Sequence, residues 1–198
     1  MPSADSLSRD GLSTLAGMFP PPRFFPSALF VAIVFFANGA QAFTPITLLD
    51  GKLTLEIQDG FVPDKARASG QVIAGFKARK GDAWGTISRG ARGLEPAALG
   101  DYLTRKAAEY TKGLSWLPRL TWLKNEMVTI HGRQWADLRF IGQKEGANGP
   151  MDGMLYTRIL ATSYGGQLLE IIFTSNTDRD PVVKAKIDRI LESVKLEE

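Results

Sequence analysis

The feature that most constrains this chain is the dipeptide Asp50-Gly51 between two short runs, Ile46 to Leu49 and Lys52 to Ile57. A two-residue hairpin turn requires positive φ angles, which aspartate and glycine accept, so the flanking runs are expected to pair antiparallel. Leu53, Leu55 and Ile57 alternate with Lys52, Thr54 and Glu56, a period of two that buries one face and wets the other. The strand is expected to end over Gln58 to Pro63, because Pro63 has no N–H to give to a ladder. A second hairpin is read from Gln71 to Ala78 and Ala83 to Arg89 about a turn at Arg79-Lys80-Gly81-Asp82, with Val72, Ala74 and Phe76 on one face.

The period then changes. Pro96 suits a first helical turn, and Leu99, Tyr102, Leu103, Lys106 and Tyr110 form a stripe that predicts a helix to about Lys112, with the Lys106 head reaching water and Gly113 as its cap. Four runs follow as a meander, Leu120 to Ile130, Arg133 to Gly142, Met154 to Thr162 and Gln167 to Ser175, with His131-Gly132 and Tyr164-Gly165-Gly166 at turns. The glycine-rich stretch Gln143 to Gly153 reads as a long exposed loop. Asp180-Pro181, an N-cap followed by proline, opens a last helix with Val183, Ile187, Ile190, Leu191 and Val194 on one side. The order is two hairpins, helix, four strands, helix. This predicts an α+β domain with a mostly antiparallel sheet of about six strands and helices on both faces.

Ahead of this lies an address. Ala28 to Ala37 is an uncharged apolar run too short to span a bilayer as a helix, and Ala40-Gln41-Ala42 offers small residues where a signal peptidase reads. Residues 1–42 are therefore expected to be a signal peptide, with Met18 an alternative start that leaves a compact signal around Arg23. An uncleaved anchor or a core helix is the competing reading of the run. Residues 43–198 then form a single domain in the periplasm or outside the cell, with no membrane span after cleavage. With 44% apolar residues the chain can close a core without staples.

The opening Asp50-Gly51-Lys52-Leu53-Thr54-Leu55-Glu56-Ile57-Gln58-Asp59-Gly60-Phe61 resembles the start of PsbP-like domains. Met127-Val128-Thr129-Ile130-His131-Gly132-Arg133-Gln134-Trp135-Ala136 is similar to their central strand, turn, strand segment, and Tyr164 to Ile171 with a terminal helix completes the order. His131 stands where asparagine is common and Phe61 where tryptophan is common, which keeps a turn residue and an aromatic anchor. The resemblance implies an α/β/α sandwich like that of photosystem luminal subunits, a Ran-binding factor, DcrB-like envelope proteins and secretion chaperones. It implies no catalytic residues, since none are shared among those relatives.

The composition restricts chemistry further. The chain has no cysteine and one histidine, which excludes thiol nucleophiles, disulfide scaffolds, zinc fingers and His-rich metal sites. His131 lacks a nucleophile motif beside it and sits in an expected turn. Asn176, Asp178 and Asp180 could offer oxygen ligands to calcium, yet the full calcium-loop pattern is missing and capping of the last helix explains the position. The Gly146 to Gly153 stretch lacks the phosphate-loop lysine pattern. No cofactor is implied, and an enzyme would need carboxylates brought together by folding.

Charge is concentrated instead. The whole chain carries 24 basic against 21 acidic residues, but between Asp64 and Arg92 the cations Lys65, Arg67, Lys77, Arg79, Lys80, Arg89 and Arg92 face only Asp64 and Asp82. Lys77, Arg79, Lys80 and Arg89 are candidates for contact with an envelope protein or an anionic surface, while an exported chain would not meet nucleic acid. The plain alternative is a set of solvated strand faces. Trp116 and Trp122, in the stretch Trp116 to Leu123, are candidates for a ligand or partner groove, against the plainer role of lidding a core, and Trp84 and Trp135 are read as core or sheet-face residues. Together these features favour a non-enzymatic binding or assembly protein, with a carrier of a small apolar or lipid ligand and a carboxylate-based enzyme as alternatives.

Overall fold

The computed structural model describes residues 43–112, 119–146, 149–176 and 180–198, those at 91–92, 144–146 and 149–153 by their backbone alone. The chain runs β1 (Thr44–Leu48), β2 (Leu53–Ile57), β3 (Phe61–Pro63), β4 (Val72–Ala78), β5 (Ala83–Gly93), α1 (Leu99–Thr111), β6 (Arg119–Ile130), β7 (Arg133–Gly146), β8 (Gly149–Tyr164), β9 (Gln167–Ser175), α2 (Pro181–Glu192) and β10 (Lys195–Leu196). Seven strands make one antiparallel sheet in the order β3-β4-β5-β9-β8-β7-β6, and β1-β2-β10 make a second. No helix among the described residues is long and apolar enough to cross a membrane.

Local chemistry sets the element ends. Asp50 and Gly51 take φ values of 53° and 93°, and the Lys52 N–H donates to the Leu49 carbonyl at 3.1 Å, closing the first hairpin as its dipeptide predicts. A 3-10 turn at Pro96–Ala98 leads into α1. The Asp180 carboxylate accepts from the N–H groups of Val182 at 2.9 Å and Val183 at 3.2 Å, which caps α2 ahead of Pro181.

Period two then sorts the side chains into two apolar clusters. One joins Leu53, Leu55 and Ile57 of β2 with Ile187, Ile190 and Leu191 of α2, and with Trp135, Leu160, Ile171 and Phe173 of the large sheet. The other joins Leu99, Tyr102 and Ala107 of α1 with Ala136, Leu138, Phe140, Leu155 and Ile159. Trp135 belongs to the first cluster and the next residue, Ala136, to the second, as expected for a strand whose neighbours point to opposite faces.

Three expectations need correction. The described residues hold ten strands in two sheets, not about six in one. β3 and β10 are three and two residues long, too short to show a period, and Pro63 is tolerated because β3 is an edge strand. The stretch from Gln143 to Gly153 is not a long loop, because β7 and β8 run on until Gly146 lies opposite Gly149. An antiparallel ladder propagates through backbone groups whatever the hydrophobic pattern. The Lys106 head does not extend freely into solvent but pairs with Glu170 of β9, 3.4 Å from its Nζ, with the side chain still 21% exposed. The cap assigned to Gly113 falls outside the described residues.

Candidate functional site

Arg79 and Lys80 are the first residues of the turn between β4 and β5. The Arg79 N–H donates to the Gly60 carbonyl at 2.7 Å and the Asn176 N–H to the Asp82 carbonyl at 2.6 Å, so this turn is tied to the turn before β3 and to the end of β9. The first turn of α2 lies beside it. Between them runs a groove of about 350 Å³ lined by Gly60, Phe61, Ala78, Arg79, Lys80, Val182 and Lys186 among others. A second groove, of about 290 Å³, shares Val182 and Lys186 with the first and reaches Gln58 and Arg189. Val182 itself is 61% exposed. Lys186 holds its position by donating from Nζ to the Asp59 carbonyl at 2.7 Å. An exposed apolar side chain is thus common to two grooves that between them hold Arg79, Lys80, Lys186 and Arg189, with Asp59 and Asp82 as the acidic side chains that are not capping a helix. An apolar centre inside a charged rim is the anatomy of a protein contact.

The other sequence candidates go elsewhere. Lys77 stands 3.9 Å from Asp64, which also holds Arg67 at 3.2 Å, and Arg67 lies over the Trp84 ring at 5.5 Å. Arg89 sits at the far end of β5, opposite Leu169, with its guanidinium 5.5 Å from the centre of the Tyr164 ring. The basic segment therefore separates into three groups, of which Arg79 and Lys80 alone line the Val182 grooves. Trp122 donates from Nε1 to Thr111 Oγ1 at 3.0 Å and packs edge-on against Phe140 at 5.4 Å, a lid on the α1 cluster. Trp135 is fully buried. Trp116, Asp178 and the Arg92 side chain lie outside the described residues. His131 occupies the exposed turn between β6 and β7 at a φ of 47°, beside Arg133, which donates to the Ser163 carbonyl at 3.0 Å.

Sequence reasoning missed a buried ion network beneath α2. Arg158 reaches Asp137 at 2.9 Å and Asp188 at 2.8 Å, Arg139 reaches Asp137 at 2.7 Å, and the Tyr156 hydroxyl donates to Asp188 at 2.9 Å. Burial alone would push the Asp137 carboxyl up, but hydrogen bonds and charge from Arg139 and Arg158 outweigh it and hold it below the ordinary aspartate value. Burial first, and then the charge and hydrogen bond of Asp188, push the Tyr156 phenol up. The available signal was the pair of charges Asp137 and Arg139 inside the otherwise apolar run Trp135 to Gly142 of β7. On the opposite cluster, Tyr102 donates to Glu170 at 2.5 Å, and Lys106 completes that group. Both networks join helices to the sheet. Each carboxylate in them faces a cation or a phenol, so neither provides a free acid and base side by side. Among the described residues, no three His, Cys, Asp or Glu side chains are grouped to hold a metal.

The arrangement of strands and helices matches known structures. The solution structure of cyanobacterial PsbP from Synechocystis aligns with 83% of this chain and 98% of its own, at a TM-score of 0.55 and 13% identity. The chain has a PsbP-like fold. The Ran-binding protein Mog1p of Saccharomyces cerevisiae shares it, with 79% of this chain and 96% of Mog1p covered at a TM-score of 0.55 and 8% identity. No family model matches the sequence, and no curated protein matches it. At these identities the likeness is one of fold and assigns no role to Val182, Arg79 or Lys80.

Proposed function

We propose that this chain is a non-enzymatic binding or assembly protein of the bacterial envelope, acting by protein–protein contact through the surface around Val182. The observation that carries this reading is the 61% exposure of Val182, common to two grooves that between them hold Arg79, Lys80, Lys186 and Arg189. An exposed apolar residue adds nothing to the domain's own core, while a partner that covers it gains both the buried area and the exclusion of water from the rim. The excess of cations over Asp59 and Asp82 selects a partner segment that presents an apolar side chain among acidic ones. A Ran-binding protein with the same fold supports a binding role for this frame.

Export belongs to the same proposal. Residues 1–42 are the address, cleavage follows Ala42, and residues 43–198 form one domain, an α/β/α sandwich with α1 and α2 on opposite faces of the large sheet. The apolar run Ala28 to Ala37, the Ala-x-Ala site and the alternation along β7 support these statements. N-terminal sequencing of the exported form is expected to begin at Phe43, and a mature chain beginning upstream of Ala37 contradicts it.

Function is tested by capture of a partner from envelope extracts on the full chain, with competition by untagged protein. A saturable partner is expected, lost with Arg79→Glu/Lys80→Glu and with Val182→Asp while the melting temperature is unchanged. A partner held equally by both variants overturns the assignment of the surface.

A further inference from the structure

Among the described residues, the large sheet leaves one long edge open. Its β3 edge has three residues and ends on Pro63, while in the small sheet β1 carries Pro45 and β10 has two residues. Short strands and proline protect an edge from pairing. β6 has twelve residues and no proline, with β7 on one side and, among the described residues, no strand on the other. Such an edge presents a row of unpaired backbone N–H and C=O groups.

The side chains along this edge are self-complementary. Leu123 is 46% exposed and Met127 39%, and Lys124, Asn125 and Glu126 lie between them. On β7, Lys124 is opposite Arg139 and Glu126 is opposite Asp137, so each meets a like charge and the two hold one another at 2.8 Å. Antiparallel pairing of this segment with its own copy about Asn125 sets Lys124 opposite Glu126 of the second copy and Leu123 opposite Met127 of the second copy. Each pair forms twice. Opposite charges and apolar side chains directly across a ladder are favourable, and like charges are not.

We propose that two copies of this chain associate edge to edge through Leu123–Met127 of β6, around a two-fold axis at Asn125, and so extend the large sheet from one chain into the next. The contact is isologous, the same patch on both copies, and therefore closes at two. The bulge between Trp122 and Lys124 falls on Leu123, so the regular stretch ends there in each copy and, by the two-fold axis, the ladder centred on Asn125 is bounded at both ends. The surface around Val182 contributes nothing to this contact.

The absence of cysteine makes the test direct. Asn125→Cys places one thiol of each copy at the axis, where opposed Cα atoms of an antiparallel pair are about 4.5–5.5 Å apart, within reach of a disulfide. Under mild oxidation the full chain carrying Asn125→Cys is expected to form a covalent dimer, and Arg105→Cys on the exposed side of α1 is not. In sedimentation experiments Lys124→Glu, which sets like charges across the axis, is expected to weaken the dimer about tenfold. Adding Glu126→Lys restores it. Equal cross-linking at both positions, failure of the second substitution to restore association, or cross-linking of Asn125→Cys only to a different protein overturns the proposal.

Discussion

Arg158 of β8 donates from Nη2 to Oδ2 of Asp137 on β7 at 2.9 Å, with the two side chains 2% and 0% exposed. The second arm of the same guanidinium takes Asp188 of α2, so one cation joins two strands to the helix that also carries Val182. A buried pair of this kind costs desolvation when it forms, and its larger consequence is the penalty for breaking it.

Asp137→Asn leaves Arg158 and Arg139 without their shared carboxylate and is expected to cost about 3–5 kcal/mol in urea unfolding. The double variant Asp137→Leu/Arg158→Met removes the more deeply buried of the two stranded cations, leaves Arg139 to Asp188 at 3.8 Å, and is expected to regain part of that loss. A double variant less stable than Asp137→Asn would contradict this account of the network.

The same carboxylate gives a pH dependence with a definite sign. Burial raises its pKa, but Arg139 and Arg158 lower it further, so the folded value lies beneath the unfolded value of about 3.9. A depressed folded pKa contributes stability that is fully present above the unfolded value and is lost as pH falls through the folded one. Unfolding free energy measured against pH should therefore decline in this acid range, and the part due to Asp137 should be missing from Asp137→Asn.

Asp180→Ala removes the acceptor for two N–H groups at the start of α2 and is expected to cost about 1 kcal/mol. Asp180→Asn keeps an acceptor and should cost less. Thermal unfolding of the two variants side by side measures the cap.

Gly85 of β5 lies opposite Phe173, and a Cβ there would run into the Phe173 ring. Gly85→Ala should destabilise by about 1–3 kcal/mol through overpacking. Gly100→Ala in α1 has open space around it and should be stabilising by up to about 1 kcal/mol. The opposite signs of the two changes are read from their unfolding midpoints.

Legibility in the sequence followed the range of the interaction. The Asp50-Gly51 turn and the Asp180-Pro181 cap were readable because a dipeptide carries its own φ preference or side-chain acceptor. The strands β3 and β10 were not, since three and two residues cannot show a period and their pairing depends on distant partners. Arg79 and Lys80 were readable as turn cations, but Val182 was hidden, because its exposure depends on how α2 is seated on the sheet. Likewise Asp137, Arg158 and Asp188 are ordinary charges until the β7–β8 register and the docking of α2 bring them together. Trp122 was readable as aromatic payload, and only the contacts with Phe140 and Thr111 show it spent on the fold.

The central claim is that the surface around Val182 recognises a protein segment by an apolar contact inside a cationic rim. Titration of the captured partner against the full chain, with Arg79→Glu/Lys80→Glu and Val182→Asp measured beside it, is the most direct test. Each variant is expected to weaken the affinity by at least about tenfold at unchanged melting temperature, with the charge variant also flattening the salt dependence. An affinity that neither substitution alters would contradict the account.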